Sequence, residues 1–172
     1  MKVIDLNIDK GAIFSDDRRF RYALWRVWDR ARPRLLIIGL NPSTAAELNN
    51  DSTVTRGISR ANKVGFGGFL MGNLYAYVTT DPKVLLGSDD FVGEFTDYYL
   101  RRMIAMSSRQ LCGWGSSPPV IKRASAVLSM MTEPYCLGVN KDGQPKHPLY
   151  IGYGMRMMRY EVNALAKEKM PV

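Results

Sequence analysis

Metal-binding side chains are scarce in this sequence. Its 172 residues include one histidine, His147, and two cysteines, Cys112 and Cys136. The usual zinc sites need about four such ligands, and an iron–sulfur cluster needs about four thiolates. The composition therefore argues strongly against these metal centres, and we expect a protein without a metal or another cofactor.

Long hydrophobic runs are missing as well. The uncharged stretch VGFGGFLMGNLYAYVTT, residues 64–80, is too rich in glycine and polar groups to span a bilayer. The N-terminal MKVIDLNIDK lacks the apolar core of a signal peptide. Both cysteines lie in apolar surroundings, QLCGW and PYCLG, which favours buried thiols of a reducing compartment over a disulfide. We therefore expect a cytoplasmic protein that does not contact membranes.

Acidic residues are the minority charge. The chain has 16 of them against 24 lysines and arginines, which gives a net charge of +8 and a pI near 9.6. Such an excess favours a polyanionic partner such as nucleic acid. The imbalance is greatest over residues 18–34, where seven arginines accompany a single acid, Asp29. This stretch is either a solvated face or a face that contacts phosphates.

Short apolar runs alternate with helical patterns along the chain. The runs, each short enough for a buried strand, cover residues 34–40, 68–74, 109–114 and 134–139. Helical patterns, the first with Ser52 or Thr53 as its N-cap, cover residues 52–64, 93–108 and 117–131. This alternation is typical of βαβ units. We predict one domain over residues 1–172 with an α/β fold, a three-layer α/β/α sandwich around a mostly parallel four-stranded central sheet.

The two ends of the chain extend this pattern. Residues 1–17 indicate an irregular arm or a short edge strand. In residues 18–30, RRFRYALWRVWDR, apolar residues recur at helical spacing, which predicts a helix. Residues 155–169 predict a closing helix.

Polar residues follow each of the four apolar runs, at the sheet edge where α/β proteins bind ligands. The first run leads into GLNPSTAA with Asn41, and the second into GNLYAY with Asn73. The third leads through GWGSSPP, with Ser116, towards a helix N-terminus that could hold a phosphate, and the fourth into GVNKDGQPKHPLY with His147. Each also has a structural alternative: an Asx-turn for Asn41, backbone pairing for Asn73, a helix cap for Ser116, and a solvated or hydrogen-bonded structural role for His147.

The order and spacing of these motifs resemble the uracil-DNA glycosylase superfamily. The shared features are a strand that ends in a Gly-x-Asn-Pro turn, as in the mismatch-specific branch, a second strand that ends in asparagine, a WG strand end and a late His-Pro loop. The chain also resembles a small bacterial and phage family of unknown function through LNPSTA, Asp-x-Thr-x-x-Arg, NLYAY and HPLY, over residues 18–152.

The resemblance to the glycosylases implies a role for each motif. Asn41 would position the attacking water, Asn73 would pair with the edge of an extruded base, and His147 would donate a hydrogen bond to the departing base. Further base contacts would come from Gly39, Leu40 and Tyr75. Contacts to phosphates, or to the gap that the base leaves in a duplex, would come from Ser43, Thr44, Ser116, Lys146, Leu149 and Tyr150.

The family of unknown function adds the motif DSTVTR, with Asp51, Thr53 and Arg56. In a structural reading, Thr53 caps a helix and Asp51 favours the positive helix end. In a functional reading, Asp51 and Arg56 line the same pocket and recognise something other than plain uracil. Both readings remain open at this point.

These residues lead to one expected function and two alternatives. We expect a monomeric, monofunctional DNA glycosylase that hydrolyses the N-glycosidic bond of a damaged, mismatched or modified base, flipped from a duplex or single-stranded. Lyase chemistry is not expected, because no lysine occupies an obvious strand-end position. The alternatives are an enzyme that acts on a free nucleotide or modified nucleoside, and a non-catalytic nucleic-acid-binding or phage-interaction protein on the same scaffold.

Overall fold

A computed structural model describes residues 2–43 and 49–161 of the chain. Seven strands form one sheet: β1 Lys10–Phe14, β2 Arg21–Val27, β3 Arg34–Gly39, β4 Gly68–Asn73, β5 Arg109–Cys112, β6 Pro134–Cys136 and β7 Met158–Arg159. The helices of the described ranges are α1 Ser52–Lys63, α2 Thr96–Met106 and α3 Val120–Leu128, with short 3₁₀ turns at Pro82–Leu86, Asp89–Val92 and Pro148–Tyr150. None of them is long and apolar enough to cross a membrane.

The strand order across the sheet is β1-β2-β4-β3-β5-β6-β7. The four strands predicted from the apolar runs, β3 to β6, lie side by side and parallel to one another. Strands β1, β2 and β7 add three antiparallel pairs. The α/β class is confirmed, but the mostly parallel four-stranded sheet is wrong, because the sheet extends beyond the four apolar runs: β2 contains Arg21 and Arg26, and β7 is only two residues long.

Strand β2 replaces the helix predicted over residues 18–30. All seven of its residues are buried, because the strand lies between β1 and β4, with Leu24 opposite both Ala12 and Met71. A strand that is covered on both faces has no polar face and therefore does not alternate between apolar and polar residues. Its closely spaced apolar residues also fit the spacing of a helix. Arg21 and Arg26 are buried within it, so the seven arginines do not form one solvated or phosphate-contacting helix face.

The two chain ends also form strands. Within the predicted N-terminal arm, Lys10–Phe14 is the edge strand β1, in line with the second of the two readings. The closing helix is wrong for residues 155–161, because Met158–Arg159 pairs with β6 and the Tyr160 amide donates to Pro134 O at 2.8 Å. The remainder of that prediction, residues 162–169, lies outside the described residues.

Strand β3 shows that helices cover both faces of the sheet. Leu36 and Ile38 belong to the apolar cluster that contains residues of α2 and α3. Leu35 and Ile37 belong to the cluster that contains residues of α1. The connections therefore bring the carboxyl ends of the parallel strands together at one edge, between the two helical layers.

The two cysteines are buried free thiols, as expected from the sequence. Cys112 ends β5 and Cys136 ends β6, on adjacent parallel strands. Burial raises the pKa of both thiols, so neither is a reactive thiolate at neutral pH.

Candidate functional site

A cleft of about 600 Å³ lies at the carboxyl ends of the parallel strands. Its walls come from the segment after β3, the end of β4, the loop after β5 and the long loop between β6 and β7. The residues of the sequence-based site that line it are Gly39, Leu40, Asn41, Ser43, Asp51, Thr53, Asn73, Ser116, Lys146, His147, Leu149 and Tyr150. Tyr75 and Arg56 do not line it, and Thr44 lies outside the described residues.

Asn41 is held by its amide nitrogen. Nδ2 donates to Thr79 O at 2.7 Å and to Pro42 O at 3.0 Å, which ties the turn after β3 to the segment after β4. These are partners outside the Asx-turn that the Asn-Pro pair suggested. No donor contacts its Oδ1 within the described part of the chain, so this oxygen can accept from a bound molecule.

Asn73 lies at the end of β4, directly opposite Gly39 in the parallel register. Only 3% of Asn73 is exposed, and its Oδ1 has no hydrogen-bond partner among the residues that the structure describes. A Cβ at position 39 would lie 2.8 Å from that oxygen, so the absence of a side chain there makes room for the amide. A buried acceptor without a partner is costly, which marks Asn73 as a group that a ligand can satisfy.

His147 is the N-cap of the 3₁₀ turn Pro148–Tyr150. Its Nδ1 accepts a hydrogen bond from the Leu149 amide at 3.3 Å, so the neutral ring carries its proton on Nε2. Burial lowers the pKa of His147 below the ordinary value of 6.5, and the negative charge of Asp51 partly opposes this. The cleft therefore holds a neutral imidazole with an Nε2–H donor at neutral pH.

Asp51 is the N-cap of α1, in place of the predicted Ser52 or Thr53. Its Oδ1 accepts from the Val54 amide at 2.8 Å, and its Oδ2 accepts from Ser43 Oγ at 2.7 Å. Asp51 therefore caps the helix, close to its structural reading, and its carboxylate also lines the cleft, but Arg56 does not share that pocket as the functional reading required. Because the Ser43 hydroxyl donates its hydrogen bond to Asp51, it is a poor donor to a phosphate oxygen.

Ser116 is also paired with a carboxylate. Its Oγ donates to Asp142 Oδ1 at 2.9 Å and accepts from Asn140 Nδ2 at 2.9 Å. The following residues, Pro118 and Pro119, offer no N–H groups to an anion at the start of α3. A phosphate placed here would meet the Asp142 charge, so this end of the cleft disfavours the predicted phosphate contact.

Tyr75 is buried beneath α3 and does not face the cleft. It is 1% exposed, and its hydroxyl donates to Pro119 O at 2.9 Å. Tyr75 is therefore a core residue, outside the cleft in which the predicted base contact would have to be made.

Arg21 is a cleft residue that the sequence analysis did not include. Burial lowers the pKa of its guanidinium to about 10, while the negative charge of Asp51 acts in the opposite direction. Arg21 is therefore a buried cation beside the cleft at neutral pH. The sequence RYALWRV shows no strand-like alternation, because Arg21 and Arg26 flank four consecutive apolar residues, and the apolar spacing over residues 18–30 favoured a helix.

A loop latch, formed by Arg56 and Arg60 of α1 and by Tyr153, holds the chain just after His147. Both guanidinium groups donate to Ile151 O at 2.9 Å, and Arg60 also donates to Gly152 O at 3.2 Å. The Arg56 guanidinium lies 4.3 Å from the Tyr153 ring centre. Arg56 therefore acts on the cleft through the loop, which differs from the pocket-lining position expected for it.

The cleft rim carries exposed groups. Tyr150 is 81% exposed, and its ring centre lies 5.7 Å from that of His147. Lys146 is exposed beside it, and Leu149 is half-buried between the rim and the interior. In the described ranges no group of three or more histidine, cysteine, aspartate or glutamate side chains is placed to hold a metal ion.

Comparison with known proteins gives one family. No match was found among curated proteins. None was found among solved structures. A family model described as a protein of unknown function (DUF1643) matches residues 21–149, well over half of the chain and nearly the whole cleft. The chain therefore belongs to the DUF1643 family.

Proposed function

We propose that this protein is a monofunctional DNA base glycosylase that acts without a metal or other cofactor and as a monomer. The observation that carries the proposal is that Asn41, Asn73 and His147, from three separate segments, line one cleft. A cleft of about 600 Å³ has the size of typical small-molecule sites and has room for a nucleobase with its sugar.

Asn73 supplies recognition of the base. Its buried Oδ1 needs a donor, and the edges of nucleobases carry N–H groups that can provide one. A base that pairs with this oxygen relieves the cost of a buried, unsatisfied acceptor. A base without an N–H at that edge leaves the cost in place, so Asn73 also selects among bases.

Asn41 positions the water. Because its Nδ2 is fixed on Thr79, the free Oδ1 can accept a hydrogen bond from a water molecule and orient it towards the sugar carbon C1′. The amide cannot take up the water's proton, which leaves to solvent as the new C–O bond forms. This limited demand suits a reaction with an oxocarbenium-like transition state, where a strong nucleophile is not needed.

His147 stabilises the leaving group. As the C1′–N bond breaks, its electron pair stays on the base, and the Nε2–H of the neutral imidazole donates a hydrogen bond to the developing negative charge. The Leu149 amide holds Nδ1, so this donor needs no reorganisation during the reaction.

The exposed rim provides contact with DNA. The target base is flipped into the cleft or presented in a single strand, since its reacting atoms are inaccessible inside a duplex. Leu149 or Tyr150 occupies the space that the base leaves, and Lys146 contacts a phosphate. Ser43 and Ser116, which are hydrogen-bonded to carboxylates, take no part in this contact.

The experiment is a measurement of abasic-site formation on a panel of oligonucleotides with damaged, mismatched and modified bases. The wild-type protein should release one class of base, and Asn41→Ala should remove most of the turnover with little change in DNA binding. Asn62→Ala, an exposed residue on α1, is the matched control and should retain full activity. Equal losses of binding and turnover in Asn41→Ala would assign that residue a structural role.

Borohydride trapping tests the monofunctional mechanism. Lys146 lines the cleft, so a lyase reaction would have an amine available for a Schiff base with the abasic sugar. We still expect no protein–DNA adduct under borohydride, because Lys146 is exposed at the rim, where it contacts a phosphate and not the sugar. An adduct that disappears in Lys146→Arg would show a lyase.

A free modified nucleoside is the second candidate substrate. The observation in its favour is that Asp51 and Asp142 accept hydrogen bonds from two serines that line the cleft. Their negative charges would repel the phosphates of DNA. It predicts release of bases from nucleosides and none from oligonucleotides. A protein that binds DNA and releases no base from either substrate is the non-catalytic alternative.

A further inference from the structure

A second and larger concavity, of about 1170 Å³, lies beside the edge strand β1 and shares no lining residue with the cleft. One wall is the end of β1 and the turn that follows, residues 13–17. The opposite wall is the segment 89–95, which leads into α2. We call this concavity the acidic groove. Its volume exceeds the upper range for pockets that enclose one small ligand, about 1,000 Å³, and suits an extended segment better.

Aromatic rings line the floor and one wall of the acidic groove. Tyr22 stacks on Tyr99 with ring centres 5.5 Å apart. The ring centre of Phe20 lies 6.2 Å from that of Tyr22, with the two rings nearly parallel. Phe95 meets Tyr22 edge to face at 5.8 Å. The faces of such rings carry partial negative charge and attract ammonium or guanidinium groups.

Carboxylates from both walls surround this floor: Asp16, Asp17, Asp89, Asp90 and Glu94, against Lys2 as the one lysine or arginine of the lining. Three of them already have exposed cationic partners, Asp16 with Lys2 at 3.6 Å, Asp17 with Arg19 at 3.8 Å and Asp89 with Lys122 at 3.3 Å. Such exposed pairs are weak and exchangeable.

Asp90 donates its backbone amide to Ser88 Oγ, but within residues 2–43 and 49–161 the carboxylates of Asp90 and Glu94 make no ion pair or hydrogen bond. The negative field of Glu94 reaches the floor, since its charge acts with burial, the larger effect, to raise the pKa of the Tyr22 hydroxyl. Within the described ranges, a chain of net charge +8 thus carries a concavity lined mainly by acidic groups.

We propose that the acidic groove docks a basic peptide segment of a partner protein, with an arginine side chain lying against the half-buried rings of Phe20 and Phe95 and its charge against Asp90 and Glu94. The charge complementarity favours a cation, and aromatic rings beside carboxylates suit the flat, weakly hydrated guanidinium better than a hydrated ammonium. Nucleic acid is repelled from this surface, so DNA in the cleft and a basic partner in the groove would occupy separate faces.

The test is fluorescence anisotropy with a labelled octapeptide of alternating glycine and arginine, and with the same peptide carrying neutral citrulline in place of arginine. The wild-type protein should bind the arginine peptide and bind the citrulline peptide at least tenfold more weakly. The double variant Asp90→Asn with Glu94→Gln should lose at least tenfold in affinity for the arginine peptide. Both substitutions are at exposed side chains, so the melting temperature should not change.

The matched control is Glu133→Gln with Glu161→Gln, two exposed carboxylates outside the groove that change the net charge by the same amount. It should retain wild-type affinity. Equal losses in the two double variants, or equal affinity for the arginine and citrulline peptides, would overturn the proposal. Binding of spermidine as tight as that of the peptide, or self-association that the groove variant abolishes, would overturn it in favour of a small cation or a second copy.

Discussion

His147 is the residue on which the proposed chemistry depends most. Replacing it by alanine removes the Nε2–H donor, and we expect base release to slow by about 10² to 10³, the usual effect of losing one preorganised donor. The melting temperature should change little, because the ring makes one weak hydrogen bond to the Leu149 amide. His147→Gln, which keeps a donor of similar reach, should recover part of the rate. Wild-type rates in His147→Ala would remove the imidazole from the mechanism.

The protonation of His147 can be followed directly, because the chain has one histidine and its imidazole ¹⁵N signals need no assignment. Burial lowers the pKa of His147 in the fold, so we expect a midpoint below 6.5 and the Nε2–H tautomer above it. The stability that the neutral ring contributes is present above about pH 6.5 and is lost as the pH falls through the folded pKa. Protonation of Nδ1 also removes the acceptor of the Leu149 amide and places two N–H groups against each other.

Replacing Asp51 tests the electrostatic part of the His147 pKa shift, because the direction of the expected change is known. Its negative charge raises the pKa of His147 against the effect of burial, so Asp51→Asn should move the midpoint further down. Asparagine remains a good N-cap, which keeps α1 intact. A midpoint that rises in Asp51→Asn would contradict the electrostatic coupling.

Gly39 determines where the Asn73 amide lies. A Cβ there would sit 2.8 Å from Asn73 Oδ1, so Gly39→Ala should displace the amide and lower the free energy of unfolding by about 1–3 kcal/mol. Binding of a base-modified oligonucleotide should weaken in parallel. Gly152→Ala, which has open space around its Cβ, is the control for glycine replacement and should leave denaturant unfolding unchanged.

The residues of the cleft were largely predictable from the sequence, since Asn41, Asn73 and His147 each follow an apolar run and parallel strands end at a common edge. Their partners were not predictable. The pairing of Ser116 with Asp142, for example, depends on how the loop before His147 returns over β5, which no local pattern encodes.

Among the elements, helix α1 is tied to the cleft by the loop latch. Arg60 is 2% exposed and donates to the carbonyl groups of Ile151 and Gly152. Because hydrogen bonds from a charged donor are strong, Arg60→Gln should lower the free energy of unfolding by about 2–3 kcal/mol in urea denaturation. It should also broaden the His147 signals, since the loop after the 3₁₀ turn loses its anchor.

Lys63→Gln is the control on the same helix. Its ammonium lies 5.9 Å from the Tyr153 ring centre, and the residue is exposed, so its loss should cost less than about 0.5 kcal/mol. If both substitutions lower the free energy of unfolding equally, the loop is held by the positive charge of α1 and not by the hydrogen bonds from Arg60 to the carbonyl groups.

The strands that sequence patterns missed share a physical cause. Strand β2 has both faces and both edges covered, so the burial of Arg21 and Arg26 is decided by its neighbours β1 and β4. Strand β7 is two residues long and exists through its pairing with β6. Local propensity cannot reveal a strand that long-range pairing creates.

For the whole molecule, the net charge of +8 predicts DNA binding that weakens steeply as salt rises. The arginines of residues 18–34 contribute less than their number suggests, since two are buried and Arg30 and Arg32 pair with Asp9 and Asp29. We expect Lys146→Gln to reduce the slope of log affinity against log salt by about 1. Lys10→Gln, an exposed lysine on β1, should leave the slope unchanged. Affinity that is flat with salt would contradict a phosphate contact.

The loop latch joins residues that are 91 and 95 positions apart in the chain. A contact of such long sequence separation closes a large loop, and the entropic cost of that closure opposes its early formation. The parallel strands can therefore pair and bury their apolar side chains before the segment with His147 docks. In a growing nascent chain, we expect the loop that carries His147 to dock on helix α1 after the parallel strands have paired.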